Sequence, residues 1–299
     1  VVETGFVTPG PRVFAELVAG ALRAAGEDTR PDPRSVIEHG SANLVVLAGR
    51  TAVRVGRDPQ ASAQLERAQR LIDALPELPF GVPRSVAEPV RAGGLTAIAQ
   101  RRVPGEPHPS GSGDPEQLGL LLASLRAVPL EIVDVHLAPP RVFMGGDAWR
   151  RLMHEEAIPR LDAAVRPRAE RIADALSALE PPAEAVLTHG DLAGANVLWS
   201  DGRVAGVVDW DLASAGDPAE DVAALATWHG WEALRGVVDA DVERRAQVIA
   251  ATYPLQLVCF GIAHGRPDVE VSRAVDRANR RLAAQTDVTP TTHEPGDPA

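Results

Sequence analysis

The sequence predicts an α+β protein of two lobes, a small antiparallel sheet lobe followed by a mainly helical one. Three observations predict it. The 299 residues exceed what a single compact core usually holds and suit two lobes. Short β-branched runs crowd the first third of the chain, whereas helical spacing dominates later. Between the two patterns lies Val103-Pro104-Gly105-Glu106-Pro107, whose proline and glycine residues break regular structure.

Each element follows from local pattern. Pro11 to Ala25 has apolar residues at Val13, Phe14, Leu17, Val18, Ala21 and Leu22, which is helical spacing, with Gly26 as its stop. Ser35–Glu38, Asn43–Leu47 and Thr51–Val55 read as strands, punctuated by Gly40 and by Ala48-Gly49-Arg50. Ala61–Leu75 reads as a helix, and Arg84–Ala87 and Leu95–Arg101 as further strands. Beyond the linker, helices are expected over Asp114–Ala127, Asp147–Asp162, Arg168–Leu179, Pro218–His229, Asp239–Ile262 and Val269–Ala284. Ala185–Thr188, Val197–Trp199 and Val204–Asp209 interrupt them as short strands. The expected division is residues 1–103, 104–288 and a disordered tail, 289–299.

Composition excludes several classes. The net charge is −11 and no basic run exists, which argues against nucleic acid and anionic membrane as partners. No apolar run approaches a membrane span and no basic-then-apolar leader is visible, so a cytoplasmic protein is expected; a monomer is expected as well. Cys259 stands alone, which excludes a disulfide within the chain and a cysteine zinc site.

The most informative stretch runs from Val186 to Trp199. An apolar strand enters a polar loop, His189-Gly190-Asp191-Leu192-Ala193-Gly194-Ala195-Asn196, and leaves as a second strand. Asp191 and Asn196 stand at the two ends of that loop, which is short enough to aim both side chains at one point. Protein kinases space an Asp and an Asn in this way, the Asp for the substrate hydroxyl and the Asn for magnesium. Asp209 then ends the apolar run Val207-Val208 where a magnesium carboxylate belongs. A lone Asp at a strand end is usually a cap or a turn former. The ordered set is far more specific than any member.

On these residues the chain resembles the aminoglycoside phosphotransferase family of antibiotic kinases. The resemblance is strongest over Val186–Leu225 and extends through Gly216-Asp217-Pro218 and Asp221. Its wording is most similar to the viomycin and capreomycin type. The resemblance implies a protein-kinase-like fold with a nucleotide between the lobes. It implies Asp191 as the catalytic base, and Asn196 and Asp209 as ligands of Mg2+ and contacts of the nucleotide. ATP or GTP would be the phosphoryl donor and a small-molecule hydroxyl the acceptor. An aminoglycoside, a basic peptide or a macrolide all fit that acceptor, as do choline, homoserine or a sugar.

The first lobe matches more loosely. Glu38-His39-Gly40-Ser41-Ala42-Asn43 resembles the loop that covers the nucleotide, with Ser41 against the phosphates. Arg54 stands where kinases carry a phosphate-pairing Lys, and Arg also pairs with phosphate oxygens. Glu66, on the following helix, is its expected partner at the nucleotide site, with Asp58, Asp73 and Glu77 as alternatives. His189 is expected to brace the loop, Asp217 to cap the next helix and Asp221 to support the loop from behind. Asp211 is left open between a second ion, a cationic substrate and a turn cap. Trp228, His229 and Trp231 either line an acceptor pocket or close the core at a helix end.

Overall fold

The computed structural model describes residues 7–28, 36–37 and 42–284. The expected tail and Ser41 lie outside the described residues.

The chain opens with α1 (Pro11–Ala24), whose first turn contains Pro11 with its pre-set φ. Leu17, Val18, Ala21 and Leu22 form its buried stripe, worth roughly 1.5–3 kcal/mol for each large side chain buried. Gly26 stops the helix with φ +66°, while the Glu27 N–H donates back to Leu22 O at 2.9 Å. A left-handed glycine with that backward bond satisfies the last carbonyls.

Five antiparallel strands follow: β1 (Val36–Ile37), β2 (Asn43–Ala48), β3 (Thr51–Gly56), β4 (Val90–Ala92) and β5 (Leu95–Arg101), in the order β1-β2-β3-β5-β4. Strand alternation sorts their side chains. Leu44, Val46, Val53, Val55, Ala97 and Ala99 share one core with α1. Arg54, Thr96 and Gln100 belong to the opposite parity and meet α2 (Pro59–Ala74) and the cleft. The expected Arg84–Ala87 strand is reduced to one bridge, Ser85 to Gln100. Its place at the sheet edge goes to β4, which returns into β5 through Gly93 and Gly94, both at positive φ. That pair supplies the backbone a tight hairpin needs.

The second lobe begins with β6 (Glu106–Pro107) and α3 (Pro115–Arg126), which Asp114 caps through the Gln117 N–H at 3.0 Å. The single helix expected over Asp147–Asp162 is instead a series of short turns. These are α4 (Trp149–Arg151), a π-helical segment Leu152–Ala157 and a 3-10 turn Ile158–Arg160. Pro159 within the run removes one N–H and disfavours a continuous α-helix. After α5 (Arg166–Ser177) come β7 (Val186–Thr188), β8 (Val197–Ser200), β9 (Arg203–Val207) and β10 (Ser214–Gly216). Then come α6 (Ala219–His229), α7 (Ala240–Ala251), α8 (Tyr253–Ala263) and α9 (Asp268–Ala284). The expected Asp239–Ile262 helix is therefore two helices, bent by 55°. Pro254, which cannot donate to a preceding carbonyl, accounts for the break. Among the described residues no single helix is long and apolar enough to cross a membrane.

The larger core fills the second lobe, and it also takes in Leu71, Ile72 and Leu75 of α2 and Phe80 and Val82 beyond it. Backbone bonds reinforce this attachment. Gly81 N–H donates to Ala205 O at 2.8 Å, and Val207 N–H donates to Gly81 O at 2.9 Å. A side chain on Gly206 would strike Val103 and Gly81 O, so this close approach requires glycine.

Candidate active site

Two strand pairs present the polar residues. β7 pairs with β10 and β8 with β9, both antiparallel. The loop 189–196 joins β7 to β8, and the segment 208–213 joins β9 to β10, so both emerge side by side. Asp201 and Gly202, with φ +50° and +75°, turn β8 back into β9. The Val208 N–H donates to Asn196 O at 2.9 Å and locks the two segments together just before Asp209.

Asp191 and Asn196 meet across their loop. Asn196 Nδ2 donates to Asp191 O at 2.8 Å and to Asp191 Oδ2 at 3.0 Å. Its amide oxygen is thereby turned away from Asp191. Burial, and then the negative charge of Asp209, push the Asp191 carboxyl up to about 6, while the Asn196 bond opposes them. Asp209 is left-handed, with φ +65° and ψ +62°. A non-glycine residue there stores of order 1–3 kcal/mol of strain, which surrounding contacts must hold. Its side chain is 48% exposed and lines the cleft. Its depth between the lobes raises its carboxyl above the ordinary range, with Arg54 pulling the other way.

The loop is braced from behind as expected. Asp221 is buried, and its two oxygens accept the N–H groups of His189 at 2.8 Å and Gly190 at 3.0 Å. Burial raises its carboxyl to about 7, against those two bonds. His189 is fully buried, and burial depresses its imidazole to about 4. Its Nδ1 accepts from Asp191 N–H, so Nε2 carries the proton and donates to Val208 O at 3.1 Å. Asp217 accepts the Ala219 N–H at 2.9 Å at the start of α6 and also pairs with Arg245 of α7.

The expected Arg54–Glu66 pair is not what the structure contains. Glu66 accepts from Arg91 Nε and Nη2 at 2.9 and 2.8 Å and from Thr96 Oγ1 at 2.8 Å. β4, which the sequence reading missed, carries the arginine that captures it. Arg54 instead reaches the second lobe. Its Nη2 donates to Asp209 Oδ1 at 2.8 Å and to Asp211 Oδ2 at 2.8 Å, and its Nη1 donates to Asp211 Oδ1 at 3.1 Å. Burial works against its charge, but Asp211 and then Asp209 outweigh burial and raise its pKa.

Asp211, left open in sequence, is thus an ion-pair partner. Trp228 and His229 belong to the packing beside the loop: Trp228 Nε1 donates to His108 O at 2.9 Å, and His229 Nδ1 donates to Ser112 O at 2.6 Å.

These groups face a cleft of about 1980 Å³ between the lobes, lined by Arg54, Asp191, Asn196, Asp209 and Asp211 among others. An amide oxygen and a carboxylate at its floor are hard oxygen donors of the kind magnesium takes. Among the described residues no three His, Cys, Asp or Glu form a closed metal cage, so further oxygens would have to complete such a shell.

Residues 34–255 match the Phosphotransferase enzyme family. The chain belongs to that family. Viomycin phosphotransferase of Streptomyces vinaceus is 31% identical over 256 residues, which cover 77% of this chain and 87% of that protein. Among solved structures, the GDP complex of aminoglycoside 2'-phosphotransferase-IIIa superposes with a TM-score of 0.71 at 17% identity. That alignment covers 92% of this chain and 99% of the other. Macrolide 2'-phosphotransferase MphH of Brachybacterium faecium gives 0.64 at 23% identity, over 88% and 98%. The fold is the two-lobed protein-kinase-like one, and the family is one of small-molecule phosphotransferases.

Proposed function

We propose that this chain moves the γ-phosphoryl group of ATP or GTP onto a hydroxyl of an antibiotic, inactivating it, and that a basic peptide of the viomycin type is an acceptor. The observation that carries the reading is the meeting of Asp191, Asn196 and Asp209 at the floor of one cleft. The 31% identity to viomycin phosphotransferase supports the choice of acceptor.

In this reading residues 1–103 bind the nucleotide, with Ser41 and Arg54 at the phosphates, and residues 104–288 hold the acceptor. Asn196 and Asp209 hold Mg2+, which when bound neutralises charge on the triphosphate. Asp191 accepts the hydrogen bond of the acceptor hydroxyl and aims its oxygen at the γ-phosphorus. The new O–P bond forms as the bond to the nucleoside diphosphate breaks, and Asp191 takes the hydroxyl proton. Asp221 and His189 keep Asp191 in place by fixing the backbone on its N-terminal side. Positioning and fixed charge supply most of the acceleration.

The test is a panel containing viomycin, capreomycin, an aminoglycoside, a macrolide, choline and homoserine, each with ATP or GTP, read by mass gain of one phosphate. Gain on the peptide antibiotics supports the proposal, and gain confined to choline or homoserine replaces it with a metabolic kinase. Asp191→Asn should abolish transfer while nucleotide binding persists. Near-normal turnover in that variant would remove Asp191 from its role.

A further inference from the structure

Arg54 is the cation that β3 delivers to the nucleotide cleft, and something must hold its guanidinium there. The helix carboxylate expected to do so, Glu66, has its oxygens occupied by Arg91 and Thr96. Asp211 receives what Glu66 does not. Both of its oxygens accept from Arg54, and Oδ2 also accepts Asn43 Nδ2 at 2.8 Å. Its backbone carbonyl accepts Arg67 Nη2 of α2 at 2.5 Å. Three elements of the first lobe, β2, β3 and α2, therefore converge on one residue of the second.

We infer that Asp211 is the positioning residue for Arg54, replacing the helix carboxylate, and that it frees Asp209 to ligate a divalent cation. The inference rests on the phosphotransfer reading above. Its logic is charge bookkeeping around one guanidinium. Arg54 spends two of its three carboxylate bonds on Asp211 and one on Asp209. With Asp211 in place, the Asp209 bond is expendable, because Arg54 remains paired and aimed when Asp209 turns to a metal. Without Asp211, Asp209 would be the remaining carboxylate on a buried guanidinium, and cation and arginine would compete for it. Since Asp211 sits across the cleft from Arg54, the guanidinium is aligned while the lobes are closed and loses its holder when they part. Helix position controls that alignment when the carboxylate is on the helix. Here lobe closure controls it.

The experiment compares D211N with E66Q in the full chain. Binding of the β,γ-imido analogues of ATP and GTP is measured by calorimetry, and Mn2+ binding to the analogue complex by electron paramagnetic resonance. Neither readout requires turnover, and thermal melting reports folding separately. D211N should weaken Mn2+ binding at least ten-fold, and E66Q should stay within two-fold of wild type. D211E, which restores the charge on a longer arm, should recover part of the loss but remain at least three-fold weaker than wild type, whereas a merely structural role would leave D211E and D211N equally impaired. If D211N melts too low to assay, D211E against E66Q decides: D211E should weaken Mn2+ binding by at least three-fold. Wild-type affinities in D211N, or a larger loss in E66Q, overturn the inference and leave the phosphotransfer reading standing. Absence of binding of either analogue to wild-type protein overturns both.

Discussion

Gly194 lies within the loop between Asp191 and Asn196, and its φ is not in the left-handed region, so backbone freedom does not demand glycine there. Space does. A Cβ on residue 194 would sit 1.9–2.1 Å from three ring atoms of Trp228, where unstrained carbon contacts need about 3.5–4.0 Å. Trp228 has little room to retreat, because its Nε1 is bonded to His108 O and its own carbonyl accepts Gly111 N–H at 2.8 Å. At an unhindered site Gly→Ala would stabilise by about 0.4–1 kcal/mol through the unfolded chain. Here overpacking of about 1–3 kcal/mol, plus about 1 kcal/mol for a strained hydrogen bond, reverses the sign. Gly194→Ala should therefore lower stability by about 2–3 kcal/mol and Tm by roughly 5–10 °C, given 2–4 °C per kcal/mol for chains of this class. Thermal unfolding followed by circular dichroism measures it, alongside transfer kinetics, since any yielding by the loop displaces Asp191 or Asn196. Trp228→Leu opens the space, so the double variant should be less damaged than the sum by at least about 1 kcal/mol. A Gly194→Ala protein that melts within 1 °C of wild type with unchanged kcat refutes the reasoning.

Other perturbations probe the supporting groups. Asp221 is raised from the ordinary carboxyl value of 3.8 to about 7, so the folded state holds its proton more tightly than the unfolded chain. Its contribution is fully present below about 4 and is lost as pH rises through 7. Urea unfolding at pH 5.5 and 6.5 should show the Asp221→Asn variant lacking a decline of up to about 1.4 kcal/mol per pH unit that wild type has. Equal slopes would mean that Asp221 is charged throughout. Arg245→Ala strands the buried Asp217 carboxylate and should cost about 3–5 kcal/mol in urea unfolding, where a loss under 1 kcal/mol would count against the pair. Cys259 is buried, and its thiol is pushed up to about 12 by that burial. It should ignore a thiol reagent at pH 8 until denaturant is added, and prompt labelling of native protein would contradict the packing around α8.

Much of the site was legible because its key residues are close in sequence. His189, Asp191, Asn196 and Asp209 fall within two strand–loop–strand turns, whose short connections dictate proximity. The partner of Arg54 was not legible, because it depends on how two lobes meet: Asp211 is 157 residues away in sequence. Glu66 misled for a local reason, since the Gly93-Gly94 hairpin that brings Arg91 beside it went unread. β10, built of Ser214, Ala215 and Gly216, carries no β-branched signal at all and exists because β7 offers it a partner. The break at Pro254 was available from the residue itself, and an uninterrupted apolar run concealed it.

The backbone splice between Gly81 and β9 divides the molecule differently from its order in sequence. The end of α2 and the residues up to Val82 are packed into the core of the second lobe and bonded to the strand that leads to Asp209. They travel with that lobe. Any widening of the cleft must therefore flex the chain at three crossings, one between β3 and the end of α2, one near Pro83 and one near Val103, with the sheet hung on all three. Only the end of α2 is the fixed post, while Ser62, Glu66 and Gln69 bond the rest of the helix to β5, so α2 is tied to both lobes and is ill suited to swing inward as a separate control lever.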